Sequence, residues 1–171
     1  MISLIGFTGA GKSSLGRLLS LRYGLLVWDL DYFIACQEKM SISQIFSQKG
    51  ELYFRDVEAA AIVALSSGPG SSYAVLATGG GAVLREESSK YLSEHSFVVH
   101  VHATLDVIVQ RLKKDITRPL LQGENFESTI KELYENRKGK YDFADLTVDS
   151  QNLEMAASYI VGYYLENDIK R

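Results

Sequence analysis

Gly6-Phe7-Thr8-Gly9-Ala10-Gly11-Lys12-Ser13 is the stretch on which the reading of this chain turns. It fits the phosphate-loop pattern G-x-x-x-x-G-K-[ST] at every fixed position. Glycine at 6, 9 and 11 lets the backbone turn tightly and bring its N–H groups against phosphate oxygens, where a side chain would block the approach. Lys12 offers a cation to the β- and γ-phosphates, and the Ser13 hydroxyl is suited to Mg²⁺. The orphan N–H groups and partial positive charge at the start of the following helix add to the same anion site.

The flanks supply the context the pattern needs. Ile2-Ser3-Leu4-Ile5 is apolar and short, as a buried strand would be. After the loop, Leu15, Leu18, Leu19 and Tyr23 recur at helical spacing, with Arg17 and Arg22 mostly on the other side. A glycine-rich turn that merely carries Lys-Ser would have neither flank.

Beyond the loop, apolar runs alternate with periodic segments. The pattern predicts strands over 2–6, 25–28, 73–77, 97–101 and 146–148. It predicts helices over 12–23, 43–48, 51–66, 86–95, 105–113, 126–141 and 153–166. Ser41 and Gln44 have capping-box spacing, and residues 66–72 are a loop by composition. The alternation implies an α/β fold, a parallel sheet with helices on both faces, in which ligands collect at the carboxyl ends of the strands. Residues 6–13, 29–31 and 79–81 fall at such ends. Without repeats or a linker, the 171 residues read as one domain over 1–171.

Composition narrows the partners. With 18 Lys and Arg against 21 Asp and Glu, the net charge is −3, which argues against a general nucleic-acid binder. Yet Arg111, Lys113, Lys114, Arg118, Arg137, Lys138 and Lys140 crowd one segment, a local patch suited to a small anion. No apolar run reaches bilayer length, and Met1-Ile2-Ser3-Leu4 has no basic, signal-like region. Cys36 is the only cysteine, compatible with a reducing cytoplasm. The expectation is a cytoplasmic monomer that binds neither nucleic acid nor membrane.

Other constellations carry a chemical reading beside a bland one. Asp29 and Asp31 end the second strand at spacing two; extended, they would point to one side, one towards Mg²⁺ and one towards an acceptor hydroxyl. The bland reading is a solvated turn or a helix cap. Gly79-Gly80-Gly81 permits close approach by a ligand, or is a loose turn. Arg55 and Glu58 can meet on a helix face, as a surface pair or as a fork poised for a carboxylate. Arg118-Pro119-Leu120-Leu121 is a lid with a cation or a basic loop. His95, His100 and His102 have no third ligand at a suggestive spacing, so a metal site there is disfavoured.

Taken together these residues resemble the shikimate kinase family, over a span from Ile5 to Tyr141. The resemblance rests on Gly9-Ala10-Gly11-Lys12-Ser13-Ser14, on Asp29-Leu30-Asp31, and on the run from Ile45 to Glu58, which looks like I-F-x-x-x-G-E-x-x-F-R-x-x-E. Gly79-Gly80-Gly81 and Arg118-Pro119-Leu120-Leu121 complete the ordered set. It implies a three-layer P-loop kinase fold with a five-stranded parallel sheet, a substrate-binding flap over 32–62 and a mobile lid over 112–125. It implies transfer of the γ-phosphate of ATP to the 3-hydroxyl of shikimate, a step towards the aromatic amino acids.

By the same resemblance Gly9, Ala10, Gly11, Lys12, Ser13 and Ser14 would hold ATP, with Arg111 against adenine. Ser13 and Asp29 would serve Mg²⁺, and Asp31 would be the general base. Arg118 would reach the γ-phosphate from the lid. Arg55 and Arg137 would grip the shikimate carboxylate, with Gly79, Gly80 and Gly81 beside the ring hydroxyls. The chain departs from the family at Arg137-Lys138-Gly139-Lys140-Tyr141, where R-x-P-L-Y is usual, which predicts a looser turn. After Val148 the usual adenine-loop proline is missing, so no adenine contact is assigned there. Two alternatives stand at this point: a related gluconate-type small-molecule kinase, and a non-catalytic shikimate- or nucleotide-binding protein. A GTPase switch is disfavoured, since neither D-x-x-G nor N-K-x-D occurs.

Overall fold

The computed structural model describes residues 1–113 and 125–168. Five strands form where the apolar runs fall: β1 Ile2–Ile5, β2 Leu26–Asp29, β3 Ala74–Ala77, β4 Phe97–His102 and β5 Leu146–Asp149. They make one sheet in the order β2-β3-β1-β4-β5, with every pairing parallel. All four residues of the central strand β1 are buried, which suits a parallel sheet covered on both faces.

Side-chain alternation sorts the strand residues into two cores. Ile2, Leu4, Val75, Val99 and Val101 face one cluster, where α1 (Lys12–Tyr23), α5 (Leu105–Lys113), α6 (Phe126–Asn136) and α7 (Leu153–Asp168) pack. Ile5, Leu76 and Val98 face the other, under α2 (Leu30–Glu38), α3 (Ile42–Ser67) and α4 (Glu86–His95). The result is the expected three layers. Chain order turns back at β1, which lies between β3 and β4, and the cleft opens beyond the carboxyl ends of these strands.

Three expectations change. The chain does not stay extended after Asp29: a nine-residue helix, α2, starts at Leu30. The Asp29 side chain caps it, accepting from the Tyr32 N–H at 3.1 Å, and Leu30 and Ile34 are buried. The helices expected over 43–48 and 51–66 are continuous in assignment as α3, but Gly50 (φ 85°, ψ 170°) breaks the helical geometry between them. The Ser41–Gln44 capping box is present in both directions, at 2.8 and 3.2 Å. Last, α6 stops at Asn136 instead of 141. Gly139 adopts a left-handed φ of 80°, and a series of turns replaces the final helical turn. Most of the lid expectation, residues 114–124 with Arg118, lies outside the described residues.

Candidate active site

The loop between β1 and α1 is shaped by its neighbours. A Cβ on Gly6 (φ 144°) would sit 2.5 Å from the Val101 carbonyl oxygen, so β4 leaves room for nothing larger. Gly11 (φ 104°) is the N-cap of α1, a left-handed position that favours glycine. Lys12 is buried, and its Nζ donates to the carbonyls of Gly6 (2.7 Å) and Phe7 (2.9 Å). The loop therefore curls around its own cation.

A cleft of about 460 Å³ opens in front of the loop. Gly9, Gly11, Lys12, Ser13 and Ser14 form one wall, Asp29, Asp31, Thr78 and Gly80 another, and Arg111 closes an end. Ala10 is fully buried behind it. Ser13 Oγ donates to Asp29 Oδ2 at 2.7 Å, so a hydroxyl and a carboxylate converge on one point. Asp29 and Asp31 both reach the cleft, though not for the reason their spacing gave. Asp29 ends β2 and caps α2, while Asp31 projects from the first turn of that helix.

The second half of the site is assembled from distant elements. On α3, Arg55 Nη1 donates to Glu58 Oε2 at 2.7 Å, and its Nη2 donates to Glu51 at 3.1 Å. Burial works against the Arg55 charge, yet the two glutamates outweigh it and leave the guanidinium more firmly protonated than in water. Glu58 is 1% exposed. Burial pushes its carboxyl above the usual carboxylate range; Arg55 pulls it back part of the way, and the charges of Asp31 and Glu51 push it up again. Glu58 Oε1 has no hydrogen-bond partner among the described residues.

The three glycines sit where these groups crowd. A Cβ on Gly79 would lie 2.7 Å from Asp31 Oδ1 and 3.1 Å from Glu58 Oε1. One on Gly80 would meet the Thr8 backbone at 2.8 Å, and one on Gly81 would meet the Arg55 guanidinium at 2.7 Å. Their first duty is thus to let α2, α3 and the phosphate loop close on β3. Arg137, from the turns after α6, donates to the Gly80 carbonyl at 2.9 Å, despite the altered turn. Neither Arg55, Arg137, Gly79 nor Gly81 lines the cleft; they form a layer around Gly80 and Asp31.

At the other end Arg111 is held by four hydrogen bonds. Its Nη1 donates to Gly9 O (3.3 Å), Ala10 O (2.9 Å) and Ser150 Oγ (2.9 Å), and its Nη2 donates to Ser150 O (3.0 Å). Ser150, buried after β5, was given no role of its own in the sequence, nor were Thr78, Thr8 and the cleft residues Leu112 and Leu153. A lone serine in a polar loop carries no spacing signal; Thr78 had one, directly before the glycines. Among the described residues no group of three or more His, Cys, Asp or Glu could hold a metal ion, and no helix is long and apolar enough to cross a membrane.

Fold and cleft together define a P-loop phosphotransferase, with an anion-binding loop on one side and, on the other, Asp31 and Gly80 backed by a layer that holds Arg55 and Arg137. The profile described as shikimate kinase matches residues 8–166. A shikimate kinase of Thermodesulfovibrio yellowstonii is 41% identical over 165 residues, covering 95% of this chain and 94% of that protein. Among solved structures, shikimate kinase from Acinetobacter baumannii in complex with shikimate has a TM-score of 0.87 at 32% identity, covering 97% of this chain and 93% of that one. The Aquifex aeolicus enzyme has a TM-score of 0.81 at 33% identity, covering 98% and 97%. This chain belongs to the shikimate kinase family.

Proposed function

We propose that this protein is a shikimate kinase, transferring the γ-phosphate of ATP to the 3-hydroxyl of shikimate to give shikimate 3-phosphate and ADP. One observation carries the reading: Arg55 and Arg137, from separate elements, converge on Gly80–Gly81 beside a complete phosphate loop. Two guanidinium groups away from the phosphates suit a carboxylate-bearing acceptor, and are unneeded by a neutral one.

The reaction follows from the placement of charge. Asp31 takes the proton of the acceptor hydroxyl. That oxygen attacks the γ-phosphorus in line, the bond to the β,γ-bridging oxygen breaks, and ADP leaves with the electron pair. Lys12 and the N–H groups of the loop neutralise the charge that gathers on the phosphoryl oxygens. By the family resemblance Arg118, which lies outside the described residues, would join them. Arg111 lies against adenine while its hydrogen bonds keep the loop in shape.

The exposed Glu51 ion pair is the weaker of the two that Arg55 makes, and the shikimate carboxylate replaces it; the buried Glu58 pair stays. The oxygen donors Ser13 and Asp29 fit Mg²⁺, which keeps most of its ligands from water and phosphate. When bound, the ion supplies charge neutralisation at the β- and γ-phosphates. The reading takes the protein as a cytoplasmic monomer, consistent with a lone, exposed Cys36.

The test is ADP release with Mg²⁺-ATP and a panel of shikimate, quinate, gluconate and nucleoside monophosphates. Turnover with shikimate far above the rest is the expected result. Turnover with gluconate, or ATP binding without any phosphoryl transfer, contradicts it.

A further inference from the structure

Arg137 lies between two spaces. Its Nη1 reaches the Gly80 carbonyl, which belongs to the main cleft. Arg137 also lines a second cavity of about 210 Å³, with Phe7, His100, His102, Tyr134 and Tyr141 among its walls. A long side chain beside such a cavity has other rotamers open to it, and one charge-assisted hydrogen bond to a carbonyl fixes only its tip.

Aromatic rings close the gap. The Arg137 guanidinium carbon stands 5.0 Å from the centroid of the Phe7 ring, within cation–π range. Phe7 is 3% exposed and is fixed from behind by an edge-on contact with Tyr134, 5.5 Å between centroids. Tyr141 stacks on His100 at 4.7 Å and 15°. Burial pushes its phenol up while the adjacent Arg137 guanidinium opposes the shift. Gly139, by its left-handed turn, is what returns the chain so that Tyr141 comes back to β4 so soon after Arg137.

We propose that Phe7 is a positioning residue for the acceptor: its ring, with Tyr141 alongside, holds Arg137 at the acceptor pocket and out of the side cavity. The first variable residue of the phosphate-loop pattern therefore serves the half of the site that the pattern does not describe. This rests on the reading of Arg137 as a shikimate carboxylate ligand.

The test is a double-mutant cycle on the full chain, Phe7→Leu against Arg137→Lys, with KM for shikimate and for ATP measured separately. Phe7→Leu is expected to raise the shikimate KM about three- to tenfold, the size of a cation–π contact, with the ATP KM unchanged. The effect should shrink in the Arg137→Lys background, where the planar face that stacks on the ring is gone. Phe7→Met, a second large apolar residue, keeps the test open if Leu impairs folding, which thermal unfolding reports. Equal rises in both KM values, or a Phe7 effect that persists in full in the Arg137→Lys background, overturns the proposal. If Arg137→Lys alone leaves the shikimate KM unchanged, the carboxylate role of Arg137 fails, and the proposal with it.

Discussion

The half of the cleft that we assign to the nucleotide comes mainly from one stretch of chain closed by backbone, whereas the half that we assign to the acceptor comes from four segments closed by side chains. In the first, Gly6–Ser14 curls around Lys12, and Arg111 with Ser150 fastens the outer carbonyls of the loop. In the second, Asp31 on α2, Arg55 and Glu58 on α3, and Arg137 after α6 meet over three glycines that follow β3. Phosphate recognition needs many converging N–H groups, which a contiguous loop supplies. Recognition of a small hydroxy acid needs a few charged groups in fixed relation, which only the tertiary fold can bring together.

The comparison breaks most severely at Lys12. Lys12→Ala removes the cation and leaves the buried carbonyls of Gly6 and Phe7 without their donor. We expect kcat to fall by about 10²–10³ or more, the cost of one pre-organised stabilising donor. Steady-state kinetics check this; a loss confined to KM for ATP would mean that Lys12 only binds. Next, Gly79→Ala puts a methyl group 2.7 Å from Asp31 Oδ1, and the carboxylate must move. A displacement near 1 Å in a reacting group can cost ~10²-fold, so kcat with shikimate should fall on that order while nucleotide affinity, measured by titration, holds. Equal losses on both sides would show the halves to be less separable than their construction indicates.

This division also explains what was legible in the sequence. The phosphate loop could be read in full because its chemistry is backbone geometry, and backbone geometry leaves its mark in contiguous glycines. The sheet was readable from apolar runs, with each strand placed to within a residue or so. Helix α2 was not: Asp29 ends β2 and also caps the helix, a reading the sequence offered only as the bland one, and the apolar side chains of nine residues are too few to announce a helix period. Glycines at 79–81 were visible, but their reason was not, since it lies in Asp31, Thr8 and Arg55. The end of α6 was missed because the turns that replace its last residues begin at Arg137, ahead of the left-handed Gly139, and no residue between them signals a stop.

Smaller effects sharpen the picture. Ser150→Ala deletes one hydrogen bond to Arg111 on the nucleotide side. It should raise KM for ATP about fivefold, as the loss of ~1 kcal/mol does, and leave KM for shikimate alone. A shift in the shikimate KM instead would remove Ser150 from the nucleotide half. Beneath the acceptor half, burial together with His102 and Lys12, opposed by Asp142, holds His100 down at about 4. The unfolded chain takes up that proton near 6.5, so folding is favoured above pH 6.5 and the advantage drains away as pH falls towards 4. Discounted for partial exposure, the effect is about 1 kcal/mol at pH 5, a fall of ~2–4 °C in the unfolding midpoint that His100→Gln should abolish. An unchanged acid profile in that variant would show that His100 is not the sensitive group.

Arg55 offers the most direct test of the two-part site. The kinetics of Arg55→Ala with Mg²⁺-ATP should show KM for shikimate raised by about 10- to 100-fold, in line with the loss of charge-assisted hydrogen bonds, and KM for ATP within twofold of the parent. Unchanged shikimate kinetics, or an ATP KM that rises in step, would contradict the assignment of an acceptor pocket built separately from the phosphate loop.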